Sequence, residues 1–335
     1  MFVKLPRDVI VVTDMRPMLA TLGLVTIIGA TTVTGLPAKE SAHRQPLAWC
    51  YVQEGPLELV QKVVGRRTGS LSLGRGTLAP VLKTESKAGR ARAMLRLMDL
   101  ETLHPVEGWV DSSKLEIFPL ERFPSDAEVI HQASIEPPNG STGWSGGVAR
   151  WLVKQGDSAP ALLCFVAAFG QPASRLVVFL PVGGKYVHGA WLEFPFADMK
   201  PGIVYGEVRD LLRDGNECLI THEPFRAGPA TFGMNILIRR LEHGKFVLLW
   251  KAPLEWQNLG FFTSETQILQ PPERNAGAPG TVTKGEVEFQ PHRNAYMPVW
   301  KGTVEFFGPG QDKPIESLKV TKACPWIGNQ FEPLR

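Results

Sequence analysis

Residues 148–169 read VARWLVKQGDSAPALLCFVAAF, and residues 174–194 continue SRLVVFLPVGGKYVHGAWLEF. This stretch decides the class of fold. Short apolar runs rich in β-branched and aromatic residues alternate with Gly/Asp turns, which is the composition of strands joined by tight connections. The same plan returns in residues 205–225, YGEVRDLLRDGNECLITHEPF, and in residues 234–256, MNILIRRLEHGKFVLLWKAPLEW. Each copy has a strand, a Gly/Asp turn, an apolar strand, a polar loop and a strand–Gly–strand hairpin ending in Trp. Asp157 corresponds to Asp214, Gly183-Gly184-Lys185 to His243-Gly244-Lys245, and Trp191 to Trp250. Strand periodicity assigns Trp191 and Trp250 to the core. A third, weaker unit comprises GEVEFQ (285–290), VWKGTVEFFG (299–308) and CPWIGNQFEPL (324–334).

Outward from this region the totals agree. The chain has 335 residues, 44% hydrophobic and 21% charged, with 33 Gly and 28 Pro spread along it, so turns recur everywhere and a mainly β protein is expected. A formal net charge of +3 gives no ground for nucleic-acid binding or an anionic membrane surface. Four cysteines, Cys50, Cys164, Cys218 and Cys324, form neither a CxxC nor a Cys/His cluster with zinc spacing, which argues against a metal site. Export would permit disulfides. Cys164 and Cys218 nonetheless lie in apolar runs where free thiols are common, so pairing stays open.

The N-terminus carries its own signal. Lys4, Arg7 and Arg16 precede an uncharged stretch at residues 18–30, MLATLGLVTIIGA, and small residues follow, with Ala30 or Ala38 placed for cleavage. A basic region, a short apolar run and small residues describe a secretory signal peptide over residues 1–38, with translation starting at Met1, Met15 or Met18. The alternative is an uncleaved anchor, since TTVTG could extend the run toward the roughly 20 residues a span needs. With the signal removed, no membrane segment is expected, and the protein is read as periplasmic or secreted.

A first domain is expected over residues 47–118, built of short strands. In RARAMLRLM (90–98) Arg90, Arg92 and Arg96 share one parity, the period of a half-buried strand. The run Leu71-Ser72-Leu73-Gly74-Arg75-Gly76, the apolar strand at residues 78–82 and the closing Gly108-Trp109-Val110 with Leu115 resemble the bacterial Src-homology-3-like family. The usual Asn-Val-Arg-x-x-Pro strand of that family is absent. The resemblance implies a small β-barrel that engages a cell-envelope peptide or protein partner, with Trp109 as a binding residue; the alternative is a generic barrel with Trp109 as a core plug.

Residues 119–147, with Pro119, Pro124, Pro137 and Pro138, read as a linker. A β-repeat domain follows over residues 148–335. Its loop Asp210-Leu211-Leu212-Arg213-Asp214-Gly215-Asn216-Glu217 is similar to the Asp-x-Asp-x-Asp-Gly loop of FG-GAP/VCBS-type repeats, which can hold calcium. The resemblance implies a propeller-like arrangement, with a β-sandwich as the alternative, and makes Asp210 and Asp214 binding residues. Leu212 replaces the middle acid and Arg213 adds positive charge, so no calcium or other cofactor is expected there.

The remaining chemistry is thin. Gly143-Trp144-Ser145-Gly146-Gly147 fits G-x-S-x-G, but the motif needs a strand-to-helix elbow and here a strand follows, so Ser145 is not read as a nucleophile. His222-Glu223 begins an H-E-x-x-H, but Pro224 follows and the second His is missing. The pattern of GEVEFQ turns Glu286 and Glu288 outward and Val287 and Phe289 inward. No catalytic residue and no metal ligand is therefore assigned. The expectation is an exported, non-enzymatic binding or interaction protein of the cell envelope; the alternative is an envelope polysaccharide or peptide hydrolase whose carboxylates meet only in three dimensions. Fractionating expressing cells and sequencing the mature N-terminus should yield an extracytoplasmic chain that begins after Ala30 or Ala38, whereas a cytoplasmic chain still carrying Met18 would overturn export.

Overall fold

The computed structural model describes residues 2–4, 10–12, 45–60, 70–87, 90–135, 146–168, 171, 173–195, 201–226, 231–258, 280–307 and 313–334. The chain divides into two units, Met1–His43 and Arg44–Arg335. In the first, β1 (Phe2–Lys4) pairs antiparallel with β2 (Ile10–Val12). The uncharged stretch at 18–30 lies outside the described residues. Among the described residues no helix is long and apolar enough to cross a membrane.

The second unit is mainly β. Its first sheet contains β3 (Ala48–Val52), β4 (Leu57–Val60), β5 (Ser70–Leu73), β6 (Leu78–Lys87), β7 (Arg90–Met98), β8 (Pro105–Asp111) and β9 (Leu115–Phe118), in the order β5-β4-β8-β7-β6-β3-β9. The alternating pattern of RARAMLRLM gives the expected strand: Ala93 and Leu95 are buried with Leu59, Val81 and Val110, while Arg90 and Arg92 are exposed. In the segment read as a linker, residues 119–135 contain folded structure. A 3-10 turn at Leu120–Arg122 leads to α1 (Asp126–Gln132), capped where Ser125 Oγ accepts from the Glu128 N–H at 3.2 Å. Phe123, Val129 and Ala133 are buried.

The second sheet is a four-strand antiparallel meander: β10 (Gly146–Gln155), β11 (Ser158–Ala168), β12 (Ala173–Val182) and β13 (Lys185–Pro195). On one face Leu152, Leu162, Val166 and Phe179 pack with Trp49, Leu78 and Phe118 of the first sheet and with Val129 of α1. On the other, Trp151, Val153, Leu163 and Phe165 pack with Val208, Leu219 and Leu241 of the third. Burial on both faces is why β11 is a continuous apolar run where a half-solvated strand would alternate: Ala161 through Ala168 are all buried. Trp191 departs from the core assignment. It is 49% exposed on β13, beneath the Arg175 guanidinium at 4.6 Å, on the face of that strand turned away from buried Phe194.

The third sheet runs in chain order through β14 (Tyr205–Arg209), β15 (Cys218–Arg226), β16 (Thr231–Glu242), β17 (Lys245–Asn258), β18 (Gly280–His292), β19 (Ala295–Phe307) and β20 (Pro314–Ala323). It curls into a half-barrel. The loop after β14 reaches β19, where the Tyr296 N–H donates to the Leu211 carbonyl at 2.6 Å, and Arg209 lies 5.2 Å over the Phe289 ring of β18. The short hairpin β21 (Trp326–Ile327) and β22 (Gln330–Phe331) follows, and Phe331 and Leu334 enter the core beside Trp250 and Trp300. The two sequence repeats are thus two matching meanders, β10–β13 and β14–β17. Their corresponding turns touch: the Gly156 N–H donates to the Gly215 carbonyl at 3.0 Å, and Gln155 bridges Asn216.

The three sheets meet at residues 74–77, the turn after β5. The Val208 N–H donates to the Arg75 carbonyl at 2.8 Å, the Leu152 N–H donates to the Gly76 carbonyl at 3.0 Å, and Thr77 bridges Trp151. Backbone approach this close requires glycine: a Cβ on Gly74 would lie 2.5 Å from the Glu207 Cβ, and Gly76 has φ +89°. Beneath this seam the buried Glu217 carboxylate accepts from Arg75 Nη2 at 2.7 Å and from the Lys154 N–H at 2.8 Å. Replacing Glu217 by Ala leaves the part-buried Lys154 N–H unmet and Arg75 without its carboxylate. Arg75 is 35% exposed and partly solvated, so the expected loss is about 2–3 kcal/mol, read as a lower urea midpoint; an unchanged midpoint would deny the carboxylate this role.

Candidate functional site

The residues singled out in the sequence fall in two places. Trp109 lies on β8, opposite Met94 of β7, and is half-buried. It is not a core plug: Val110, next to it, points inward, and Trp109 faces out with Lys83 Nζ 5.8 Å from its ring. Asp210 and Asp214 share the turn between β14 and β15 in the third sheet. Their carboxylates have separate partners. Asp210 accepts from the backbone N–H of Asp214 at 3.3 Å and of Gly215 at 3.1 Å. Asp214 accepts from the Asn216 N–H at 2.9 Å and pairs with Arg240 at 2.9 Å. Each acid holds the turn, an Asx-type use of a short carboxylate next to a residue with positive φ, here Arg213 at +54°. Among the described residues no group of three or more His, Cys, Asp or Glu is placed to hold a metal ion.

Asp214 does border a large concavity. A groove of about 860 Å3 lies between the β14–β15 turn, the β18–β19 turn and the C-terminal hairpin. Tyr296, Trp326 and Ile327 give it an aromatic and aliphatic floor; Arg240 and Arg293 supply its positive side, with His292 at the end of β18. Tyr296 is fixed by the Arg213 guanidinium 4.5 Å over its ring, and Trp326 packs edge-on against Phe331 at 5.0 Å. Arg240 is committed to Asp214 and Glu242. Arg293, exposed at a positive-φ turn position, has no carboxylate partner among the described residues.

Sequence reasoning missed this groove because its walls come from three turns far apart in the chain. The only local signals were the aromatic residues of the third unit.

The other candidates resolve into structure. His222 is a strand residue of β15 stacked on Tyr205 at 4.8 Å, and burial pushes its pKa down to about 4. Glu223 pairs with Arg239, whose Nη2 lies 2.9 Å from its second oxygen. Glu286 is exposed while Val287 and Phe289 turn toward the core, and Glu288 binds Lys301 at 2.6 Å. All four cysteines are buried free thiols, and burial raises Cys50, Cys164 and Cys218 to about 12, far from a thiolate at neutral pH. Ser145 lies outside the described residues; Gly146 and Gly147 open β10.

No protein-family model, curated protein or solved structure matches the chain.

Two outcomes test the site. Millimolar calcium should leave the melting midpoint unchanged, while Asp210→Ala should lower stability by about 1 kcal/mol through loss of the turn's hydrogen bonds; a calcium-dependent rise abolished by Asp214→Ala would restore a metal loop. His222 stays neutral in the folded chain down to about 4, whereas the unfolded chain takes the proton near 6.5. Unfolding therefore binds protons, and stability should fall as pH drops from about 6.5 toward 4. A His222→Gln variant should show a shallower decline of the urea midpoint over that window, and an unchanged slope would contradict the assignment.

Proposed function

We propose that the protein is an exported, non-enzymatic binding protein of the cell envelope, periplasmic or secreted, whose groove on the third sheet takes an extended peptide segment of an envelope partner. The groove carries this reading. It combines an aromatic floor, Tyr296 and Trp326, with a guanidinium, Arg293, that has no partner among the described residues, and its acid, Asp214, is already bound to Arg240 and Asn216. Aromatic surfaces with one polar tip suit the faces of peptide side chains and bonds, and Arg293 suits a carboxylate on the same segment. A hydrolase built on Asp214 would need that acid free to exchange a proton, and it is held in an ion pair with Arg240. The first sheet is read as a Src-homology-3-like barrel whose outward Trp109 offers a second contact, and the two meanders as degenerate repeats of the FG-GAP/VCBS kind.

A photo-crosslinking amino acid at Tyr296, expressed in cells, should capture an envelope protein, and the same group at Glu101 in the first sheet's loop should not. Arg293→Ala should reduce the yield at least tenfold. Equal capture from both positions, or none from Tyr296, would overturn the groove as the binding site.

A further inference from the structure

On β13 the side chain of Trp191 is 49% exposed, the most exposed tryptophan among the described residues. Apolar side chains scattered singly over a surface are ordinary, so exposure alone gives Trp191 no role. The way it is held does. The register sets Trp191 opposite Val177 and Glu193 opposite Arg175, so Arg175 reaches Trp191 across the diagonal of one sheet face. Its guanidinium lies 4.6 Å from the indole ring centre. None of these residues belongs to the groove on the third sheet.

The guanidinium is itself fixed. Nε and Nη2 donate to Glu193 Oε2 at 3.2 and 3.1 Å, and Nη1 donates to the carbonyls of Ala133 and Ser134, just beyond α1, at 2.5 and 3.3 Å. Hydrogen bonds from two directions hold one planar group, and that group holds one face of the indole. A cation–π contact at an exposed site adds little stability. What it adds here is orientation: the exposed part of the indole is its other face and edge, presented to solvent in a fixed position. Glu193 takes both guanidinium bonds on Oε2, which leaves Oε1 as an acceptor on the same face of the strand. Residues two apart on one face of a strand are about 7 Å apart, a spacing comparable to the width of one sugar ring with its hydroxyls.

We propose that this face of β13 is a platform for a neutral saccharide of equatorially substituted pyranose rings, such as a β-1,4-linked glucan or its N-acetylamino counterpart. One ring lays its axial C–H bonds on the electron-rich face of Trp191, and a hydroxyl donates to Glu193 Oε1. A sugar suits the place better than a peptide does. The indole stands on the face of a sheet, where a peptide or an apolar ligand finds no concave wall to bury it, whereas a sugar needs one ring face and keeps its outer hydroxyls hydrated. The guanidinium beside the ring is already neutralised by Glu193, so no anionic group is called for. The indole is also immobile before the ligand arrives, which lowers the entropic cost of stacking on it.

The test uses the full chain with cellotetraose and chitotetraose, and with sorbitol and pentaproline as a polyol that lacks a ring and a peptide of apolar rings. The indole N–H resonance of Trp191 is identified by its loss in Trp191→Ala. Both tetrasaccharides should shift it saturably, with midpoints on the order of 1 mM for a single open platform. Sorbitol and pentaproline should bind at least tenfold more weakly. Electrophoresis through a gel containing hydroxyethylcellulose should retard the parent chain but not Trp191→Ala, which should melt at the parent's temperature. Trp191→Phe, with a smaller ring, should be retarded to an intermediate degree. A resonance unmoved by both tetrasaccharides would overturn the platform, as would retardation of Trp191→Ala equal to the parent's. Pentaproline binding as tightly as cellotetraose would overturn the saccharide in favour of a peptide. A dimer that Trp191→Ala dissociates would make this face an interface between two copies, and a Trp191→Ala chain melting well below the parent would make the indole a structural group; either result overturns the proposal.

Discussion

The arrangement of the second unit depends on a single buried carboxylate. Glu217 immediately precedes strand β15 of the third sheet, accepts a hydrogen bond from the backbone of β10 in the second, and holds the guanidinium that projects from the glycine turn of the first. Around it the contacts are backbone hydrogen bonds from Val208 and Leu152 to residues 75 and 76. Such bonds fix spacing but not identity, since any backbone can make them. The carboxylate adds the specificity. It can be satisfied only when Arg75, Lys154 and the start of β15 are all in place, so it couples three antiparallel sheets at one point.

That coupling also explains how much the sequence revealed. Strand identity was legible because turns and apolar runs are local, and RARAMLRLM and GEVEFQ fold with the faces their periodicity assigns. The repeat was legible for the same reason, down to the two Gly/Asp turns that now lie against each other. The layering was not. The run ALLCFVAA announces burial, but it cannot say that its two faces belong to different neighbours, because those neighbours lie at Trp49 and Leu78 on one side and Leu219 and Leu241 on the other. Trp191 and Trp250 occupy equivalent repeat positions, yet one lies on an exposed face and the other under the C-terminal segment; sequence equivalence carries no information about what covers a strand.

The same limit applies to the site. Asp210 and Asp214 drew attention as acids in a loop, and their real work is to hold backbone N–H groups and Arg240. The groove beside them is formed by residues that carry no motif at all, brought together from three turns far apart in the chain.

Phe331 and Leu334 have a consequence for the life of the chain before it is folded. They complete the core of the half-barrel that begins at Tyr205, so the seven-strand sheet cannot be finished until the ribosome has delivered Leu334. Contacts this distant in sequence close slowly, and the nascent protein stays unfinished while most of it is already made. Under the proposed export that delay is useful: it keeps the chain in a form that a narrow membrane channel can accept, and lets it fold on the far side.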